Sequence, residues 1–358
     1  MITAEVVINL KAFKDNLSLL RASSNGSTLV LILKANAYGH GAVELASVLD
    51  SEYIVSVARI GEAIDLRNNG IVNPILLLEG CFDDSELYIA SRNDFIVTIH
   101  DIVQLESFLR AELPKPVGVW LKLNTGMNRL GIESEQVGLF IDSIKASTNL
   151  SGEIVLFSHF ANSDNSEDSF SFKQLNLFNI VREKCGLRSS IANSAAFVKG
   201  LNCNFDYIRL GISLYGIVPS VDINCFVEGL KPVMTFKSRI ISIRQIGKDQ
   251  IVSYGCKWTS SRATKIAVVA MGYADGYPRN IPENTPVYIN GRIVSIVGTV
   301  CMDMLMVDLG IDSKDAVGDE VIFWGAELPI EVLAKHLGMI SYELVCRVSS
   351  RVHRTYLE

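Results

Sequence analysis

The feature that most constrains the fold is a series of short apolar runs that recur at a steady interval through about the first 210 residues. Between them lie stretches with helical apolar spacing, such as AVELASVL (42–49). Strands that alternate with helices in this way are typical of a closed parallel (β/α)8 TIM barrel. An open doubly wound sheet is the alternative, but its usual G-x-G-x-x-G turn does not follow the first run. The eight predicted strands are LVLIL (29–33), YIVSVA (53–58), ILLL (75–78), FIVTI (95–99), VGVWLKL (117–123), EIVLFSHF (153–160), RSSIA (188–192) and DYIRL (206–210).

The pattern changes near residue 230, where strand-like runs begin to follow one another directly. Asn290-Gly291 lies between two of these runs and is a strong hairpin signal, and a single helix is predicted at about 329–338. A chain of 358 residues is long enough for two hydrophobic cores. The predicted fold class is therefore α/β, with a barrel over 1–229 and a mostly-β domain over 230–358, divided within 219–232.

Composition argues against several classes of protein. The apolar runs are far shorter than the roughly 20 residues of a membrane-spanning helix, and MITAEVVINL at the start lacks a signal-peptide pattern, so no membrane association is expected. A net charge of -6, with no basic cluster beyond RVSSRVHR (347–354), argues against a nucleic-acid partner. The seven cysteines never form C-x-x-C, which predicts free thiols and a cytoplasmic protein. The five histidines lack metal-ligand spacing, so no metal is predicted.

Polar residues stand at the ends of the predicted barrel strands, where the active site of such a barrel is built. The first strand is apolar throughout and then reaches a lysine, whose stem would be desolvated and whose pKa would fall. We expect all of these side chains to point to one mouth. They are Lys34 after the first strand, Arg129 after the fifth, His159 at the end of the sixth, Asn193 and Ser194 after the seventh, and Arg209 at the end of the eighth.

The loops after the last two barrel strands are a common phosphate site in this fold. Here they offer the hydroxyl of Ser194 and the backbone amides of LGISLYG (210–216), where Gly211 permits close approach. A free amine at Lys34, facing a phosphate cradle, predicts a Schiff base to pyridoxal phosphate.

Nine segments carry a resemblance to a known family: KANAYGHG (34–41), VWLKLNTGMNRLG (119–131), SHFA (158–161), NSAA (193–196), IRLGISLYG (208–216), VSYG (252–255), AMGYADGY (270–277), VGTVCMDM (297–304) and SSRVHR (349–354). Together they resemble the alanine racemases over essentially the whole chain. The resemblance implies a fold type III enzyme that uses pyridoxal 5'-phosphate to interconvert L- and D-alanine by a two-base mechanism, supplying D-alanine for peptidoglycan. It also implies a head-to-tail homodimer, in which the β domain completes the active site of the partner subunit.

The resemblance assigns the two bases to Lys34, which also carries the cofactor, and to Tyr254 of the other subunit. His159 and Arg209 resemble the network that assists the tyrosine by holding positive charge near it. Arg209 is also expected to face the pyridine nitrogen; a salt bridge to nearby Asp206 is the alternative. Three residues of the β domain resemble substrate-end or entrance positions: Met302, Asp303 and Tyr273.

The remaining cofactor contacts are also implied by the resemblance. Arg129 is expected to bind the cofactor's phenolic oxygen and the substrate carboxylate. Lys122 matches a lysine that is carbamylated in many members, where the carboxylate orients the arginine, although Asn124 replaces the aspartate usual in that motif. Tyr38, Asn193, Ser194, Gly211 and Ile212 resemble the cofactor and phosphate site.

Two departures from the family pattern concern specificity. Ser350 stands where some members have a tyrosine near the substrate methyl group, and Thr299 stands where several have an entrance arginine; Asp164 and Arg279 still match that entrance. A broad-specificity or serine racemase is therefore an alternative. A decarboxylase on the same barrel is a further alternative, against which weigh the VSYG tyrosine, standing where a second base is wanted, and the lack of an evident site for a distal amine. A non-catalytic pyridoxal-phosphate carrier is another, and the whole β domain with Tyr254 and Asp303 weighs against it.

Overall fold

The computed structural model describes residues 3–165, 169–219 and 228–358. The chain divides into two compact units, one formed by residues 16–214 and 218–230, the other by 1–15, 215–217 and 231–358. The first strand, β1 (Glu5–Asn9), is followed by α1 (Leu10–Ala22). Most of the predicted boundary segment 219–232 lies outside the described residues, and the domain limits 1–229 and 230–358 stay a prediction.

The larger unit contains an eight-stranded sheet whose neighbouring strands pair in parallel, in the order β8-β7-β6-β5-β4-β3-β2-β9. The two ends of this order meet, because the Arg209 N–H donates to the Ala192 carbonyl (3.1 Å) and the Ser190 hydroxyl to the Tyr207 carbonyl (2.9 Å). The predicted TIM barrel is thus confirmed. Its strands are β2 (Thr28–Ile32), β3 (Ile54–Val57), β4 (Ile75–Leu77), β5 (Phe95–Ile99), β6 (Val119–Lys122), β7 (Val155–Phe157), β8 (Arg188–Ser190) and β9 (Tyr207–Leu210).

The barrel strands are buried along most of their length, as a sheet covered by helices requires. Inside the barrel, Trp120 meets Phe157 edge-on at 5.5 Å between ring centroids, and Tyr207 at 5.1 Å. Full burial of side chains of this kind contributes roughly 1.5–3 kcal/mol each. The helical segments of this unit after α1 are α2 (Lys34–Tyr38), α3 (Ala42–Ser47), α4 (Ile60–Asn68), α5 (Asp84–Arg92), α6 (Ile102–Arg110), α7 (Val137–Ala146), α8 (Phe170–Cys185) and α9 (Ser194–Val198).

The second unit is built on a mostly antiparallel sheet with the order β13-β16-β15-β14-β17-β10-β1-β18 and an additional β10–β13 pairing. The Asn290-Gly291 turn joins β14 to β15 with positive φ at both residues (45° and 83°), so the predicted hairpin is confirmed. Its strands and helices are β10 (Met234–Ile246), β11 (Ile251–Val252), β12 (Trp258–Thr259), β13 (Thr264–Val269), β14 (Pro286–Ile289), β15 (Arg292–Val297), β16 (Leu305–Asp308), β17 (Glu320–Trp324), α10 (Ile330–Leu337), α11 (Ser341–Cys346) and β18 (His353–Leu357).

The sequence did not predict β1, which lies between β10 and β18 in this sheet. Glu5 is opposite Lys237 on one side and His353 on the other, so both partners are more than 200 residues away in the chain. Across the described residues, none of the helices combines the length and apolar character that crossing a bilayer requires.

Candidate active site

The predicted site residues of the barrel unit lie at the C-terminal ends of its strands. Lys122 is the last residue of β6, His159 follows β7, and Arg209 lies within β9. Lys34 comes two residues after the end of β2, in α2, and not in the strand itself. Asn193 and Ser194 begin α9 after β8. Because parallel strands share one C-terminal edge, these side chains belong to one mouth.

Lys34 is presented by a turn with an unusual backbone. Ala35, Asn36, Ala37 and Tyr38 all have φ between 52° and 53°, so α2 is a left-handed turn rather than a right-handed helix. Each such non-glycine residue costs about 1–2 kcal/mol, or about 4–8 kcal/mol for the four. Strain of this size persists only where surrounding contacts fix the backbone, and it is concentrated at functional sites.

Several hydrogen bonds hold this turn. The Ala37 N–H donates to the Leu33 carbonyl (2.8 Å), and the ring nitrogen Nδ1 of buried His40 lies 2.9 Å from the carbonyls of both Ala37 and Tyr38. The Ala35 N–H donates to Glu62 Oε1 (2.6 Å) from the neighbouring helix α4. Glu62 was not predicted from the sequence, since the group it binds is a backbone amide 27 residues away.

Arg209 is the buried cation at the centre of the mouth, with 4% of its surface exposed. Its guanidinium donates to the Ser190 hydroxyl (2.6 Å) and to the carbonyl of Ser158. The alternative salt bridge to Asp206 is wrong, because that carboxylate accepts from the Ser189 N–H (2.8 Å) and lies 3.8 Å from Arg188. Burial lowers the pKa of Arg209 to about 9, which leaves it charged at neutral pH.

His159 is neutral in this environment. Burial, and then the positive charge of Arg209, lowers its pKa well below the ordinary value. Nη2 of Arg209 lies 3.3 Å from Nδ1 of His159. Since an arginine only donates, Nδ1 is the acceptor and the imidazole proton is assigned to Nε2. The positive charge predicted for the His159–Arg209 pair therefore resides on Arg209.

Lys122 is buried close to other cations. Burial, followed by the charges of Arg209 and Arg129, lowers its pKa to about 8. Its ammonium lies 5.5 Å from the centre of the Phe157 ring. An unmodified cation is disfavoured here, and a carbamate would turn each of these repulsions into an attraction.

Arg129 is exposed, on a loop that Asn124 organises. The Asn124 amide donates to Asn128 (2.9 Å) and Glu133 (2.9 Å), while its oxygen accepts from the N–H groups of Gly126 and Asn128, both at 3.1 Å. An aspartate could accept the same two backbone bonds but could not donate the other two. The asparagine therefore fixes this loop in a way that the more usual residue would not.

Ser194 and Gly211 lie together beyond β8 and β9. The Gly211 N–H donates to the buried Ser194 hydroxyl (2.8 Å), and the Ser213 hydroxyl donates to the same oxygen (3.1 Å). A Cβ added at Gly211 would lie 2.7 Å from the Tyr38 hydroxyl, so the absence of a side chain brings these two segments together. Asn193 caps α9 by accepting from the Ala196 N–H (2.9 Å). Ile212 directly follows Gly211 and is buried.

This donor set fits a phosphate ester. The hydroxyls of Tyr38 and Ser194 and the backbone amides around Gly211 are uncharged donors that lie close together, and such groups can hold a phosphate. No group of three or more His, Cys, Asp or Glu side chains able to hold a metal occurs in the described part of the chain.

Four predicted residues lie in the other unit, on three loops that contact one another. Tyr254 begins a short 3-10 turn and is 71% exposed. The Thr299 hydroxyl donates to the Tyr254 carbonyl (2.9 Å), and the Tyr273 N–H donates to the Cys301 carbonyl (3.0 Å). Met302 is 53% exposed at the tip of the same loop.

Arg351 ties these loops together and was not assigned a role from the sequence. Its guanidinium contacts Asp303 (2.8 Å) and Asp275 (2.8 Å), and the Ser349 N–H donates to the Asp275 carbonyl (3.0 Å). The only sequence signal was its place in the motif SSRVHR, next to the exposed Ser350. Asp303 is thus held by Arg351 within its own unit.

Comparison with known proteins agrees with both units. The chain matches the family models "Alanine racemase, N-terminal domain" over residues 8–219 and "Alanine racemase, C-terminal domain" over 233–356. It is 45% identical to the curated alanine racemase of Haemophilus influenzae over 357 residues, 99% of each chain. The crystal structure of the biosynthetic alanine racemase from Pseudomonas aeruginosa superposes with a TM-score of 0.94 at 36% identity, and that of the alanine racemase from Acinetobacter baumannii with 0.93 at 35%, each covering 100% of both chains. The chain belongs to the alanine racemase family.

Proposed function

We propose that this protein racemises alanine with pyridoxal 5'-phosphate bound at the mouth of the barrel, and so supplies D-alanine for peptidoglycan. The observation that carries the proposal is the strained turn that presents Lys34 and Tyr38 together, with the Tyr38 hydroxyl against Gly211. One segment thereby offers both an amine for the cofactor's aldehyde and a hydroxyl for its phosphate. When bound, the cofactor withdraws electrons from the substrate Cα and makes its proton acidic.

Residues of the chain transfer the proton at the substrate Cα and assist this transfer. Lys34 exchanges a proton with Cα on one face, and Tyr254 of the partner subunit does so on the other, because inversion requires a proton donor opposite the acceptor. His159 keeps its proton on Nε2, and the buried charge of Arg209 favours the ionised form of an acid nearby. Since Arg209 donates only, it would hold a ring nitrogen that faced it in the unprotonated form, which would favour racemisation over side reactions.

Arg129 and Met302 receive the substrate carboxylate in this proposal, with Lys122 orienting the arginine. Asp303 lies at the substrate end near Tyr254, and Tyr273 narrows the entrance. The partner subunit is a second copy of this chain. The six cysteines of the described residues are free thiols, which supports a reducing, cytoplasmic location.

Racemisation of L-alanine, followed by the loss of optical activity, tests the activity directly. Alanine should be turned over faster than serine or lysine. Borohydride reduction followed by peptide mapping should place the cofactor on Lys34. Label on any other lysine would overturn the assignment, and faster turnover of serine would change the substrate.

Serine is the competing substrate because Ser350 is small and exposed. Tyr254→Phe separates both racemases from a non-catalytic carrier: a carrier would be indifferent to it, whereas a racemase should lose most of its turnover. General acid–base groups contribute typically about 10²–10⁴-fold.

A further inference from the structure

The left-handed turn that carries Lys34 has a contact from outside itself, the carboxylate of Glu62. Its first non-glycine left-handed residue is Ala35, immediately after the lysine, and three more follow. The Ala35 N–H points to Glu62 of α4, with Oε1 at 2.6 Å. The direction in which the Lys34 side chain leaves the backbone therefore depends on where this amide is held.

The Glu62 carboxylate joins two strand ends. While Oε1 binds the Ala35 N–H after β2, Oε2 accepts from the N–H groups of Ala58 (2.9 Å) and Arg59 (3.0 Å) after β3. Three backbone donors thus converge on one side chain. Hydrogen bonds to an ionised carboxylate are stronger than those between neutral groups, so this contact is suited to holding a strained backbone.

We propose that Glu62 is a positioning residue for the Lys34 amine: its carboxylate fixes the left-handed turn so that the amine stands ready to attack the cofactor's aldehyde and to exchange the substrate proton. This inference rests on the proposed function, since it assigns Lys34 its role. Glu62 touches neither the cofactor nor the substrate in it.

Two substitutions test separately the hydrogen-bond acceptors and the length of the Glu62 side chain. In Glu62→Gln one oxygen becomes an NH2 group, which cannot accept, so either the Ala35 bond or the Ala58 and Arg59 bonds must be lost. In Glu62→Asp the charge remains at the start of α4, but the side chain is one methylene too short to keep its reach to Ala35. Both variants keep a polar group at an only half-buried position.

Glu86 provides a matched control. It occupies the third helical position of α5, as Glu62 does in α4, and accepts from the Phe82 N–H (2.8 Å) just before the start of its own helix. It is also half-buried. Glu86→Gln therefore removes a comparable carboxylate contact with backbone without touching the Lys34 turn.

Hydrogen exchange of the peptides that cover residues 34–41 and 58–59, in the full-length protein as purified, is the first measurement. We expect exchange at the Ala35 amide to quicken about ten- to a hundredfold in Glu62→Asp, as the loss of a charged hydrogen bond predicts. In Glu62→Gln the same increase is expected either at Ala35 or, if the remaining oxygen stays with Ala35, at Ala58 and Arg59. Glu86→Gln should leave these amides unchanged. Wild-type exchange at Ala35 in Glu62→Asp would overturn the inference.

Kinetics and cofactor binding give the second measurement. We expect Glu62→Asp to bind pyridoxal phosphate more weakly and to lose about tenfold or more in kcat with little change in KM, because a misplaced reacting group costs turnover. Glu62→Gln should show the same losses only if its exchange at Ala35 has quickened. Glu86→Gln should match wild type in cofactor affinity, kcat and KM. Equal kcat losses in the Glu62 and Glu86 variants would assign Glu62 a purely structural role. If wild type bound no pyridoxal phosphate, the proposed function would fail, while the exchange result would still decide whether Glu62 fixes the turn.

Discussion

Lys122 is the most unusual residue of the barrel, because it is a buried cation close to the cations Arg209 and Arg129. Lys122 is 7% exposed, and burial lowers its pKa to about 8. A substantial fraction of free amine is therefore present near neutral pH, and a free amine can attack carbon dioxide, losing a proton as the N–C bond of a carbamate forms. We expect protein equilibrated with 13C-bicarbonate to show a carbamate carbon resonance that Lys122→Met abolishes and that substitution of exposed Lys248 does not. A spectrum without this resonance in the wild type would contradict the prediction.

The same shift makes the stability of the unmodified protein depend on pH. The pKa of Lys122 falls from 10.5 in the unfolded chain to about 8 in the fold, so between these values the unfolded state binds more protons. Unfolding free energy should therefore rise with pH from about 8 to 10.5, and below pH 8 the buried ammonium costs about 3 kcal/mol. In bicarbonate-free buffer, urea unfolding should find Lys122→Met more stable than wild type at pH 7, with the gap closing by pH 10.5. A gap independent of pH would contradict this explanation.

The residues that the sequence predicted and those that it missed differ in what they bind. Lys34, Ser194 and Arg209 were predicted because each stands where a predicted strand ends, and the barrel gathers strand ends at one edge. Glu62 and Arg351 were missed because their partners are a backbone amide and carboxylates on other loops. No local sequence pattern predicts such contacts, since only the folded chain brings each side chain and its partner together.

The proposed phosphate site depends on the close packing of α2 against the residue that follows β9. A methyl group at position 211 would lie 2.7 Å from the Tyr38 hydroxyl and would displace it. We expect Gly211→Ala to weaken pyridoxal phosphate binding by about tenfold or more, as the loss of a hydrogen bond to a charged phosphate predicts. A fluorescence titration of the apoprotein would measure this change.

Gly138 supplies the control for this substitution. It lies in α7, and a Cβ there would meet nothing within 4 Å. Gly138→Ala should therefore leave cofactor affinity unchanged and stabilise the helix by about 0.5–1 kcal/mol. If both alanine variants bound the cofactor like the wild type, close approach at Gly211 would not matter.

The elements that the sequence did not predict are short and depend on distant partners. β1 has five residues and no neighbouring strand in the sequence; it is a strand because β10 and β18 pair with it on either side. α11, with six residues, is too short for a clear helical pattern. The barrel strands, in contrast, carry their own signal in continuous apolar runs, as β5 does from Phe95 to Ile99.

The β unit exposes to solvent residues that the proposed reaction requires to be buried. Tyr254 is 71% exposed, Met302 53% and Ile251 58%, and the first two lie on loops that contact one another. Apolar exposure beside a residue proposed to be catalytic is typical of a surface that a second protein covers, and here the occupant proposed is a second copy of this chain.

Heterodimers test whether two copies share their active sites. One subunit carries Lys34→Ala and the other Tyr254→Phe, with different tags so that the mixed dimer can be isolated after co-expression. If each site takes its lysine from one subunit and its tyrosine from the other, one of the two sites in the mixed dimer has both wild-type residues. We expect about half of the wild-type racemase activity, although each parent homodimer is nearly inactive.

A Lys34→Ala subunit paired with the Lys34→Ala, Tyr254→Phe double variant should stay inactive, because no site retains the lysine. A mixed dimer no more active than its parents would show that each subunit's tyrosine serves its own lysine, and the shared-site arrangement would be abandoned.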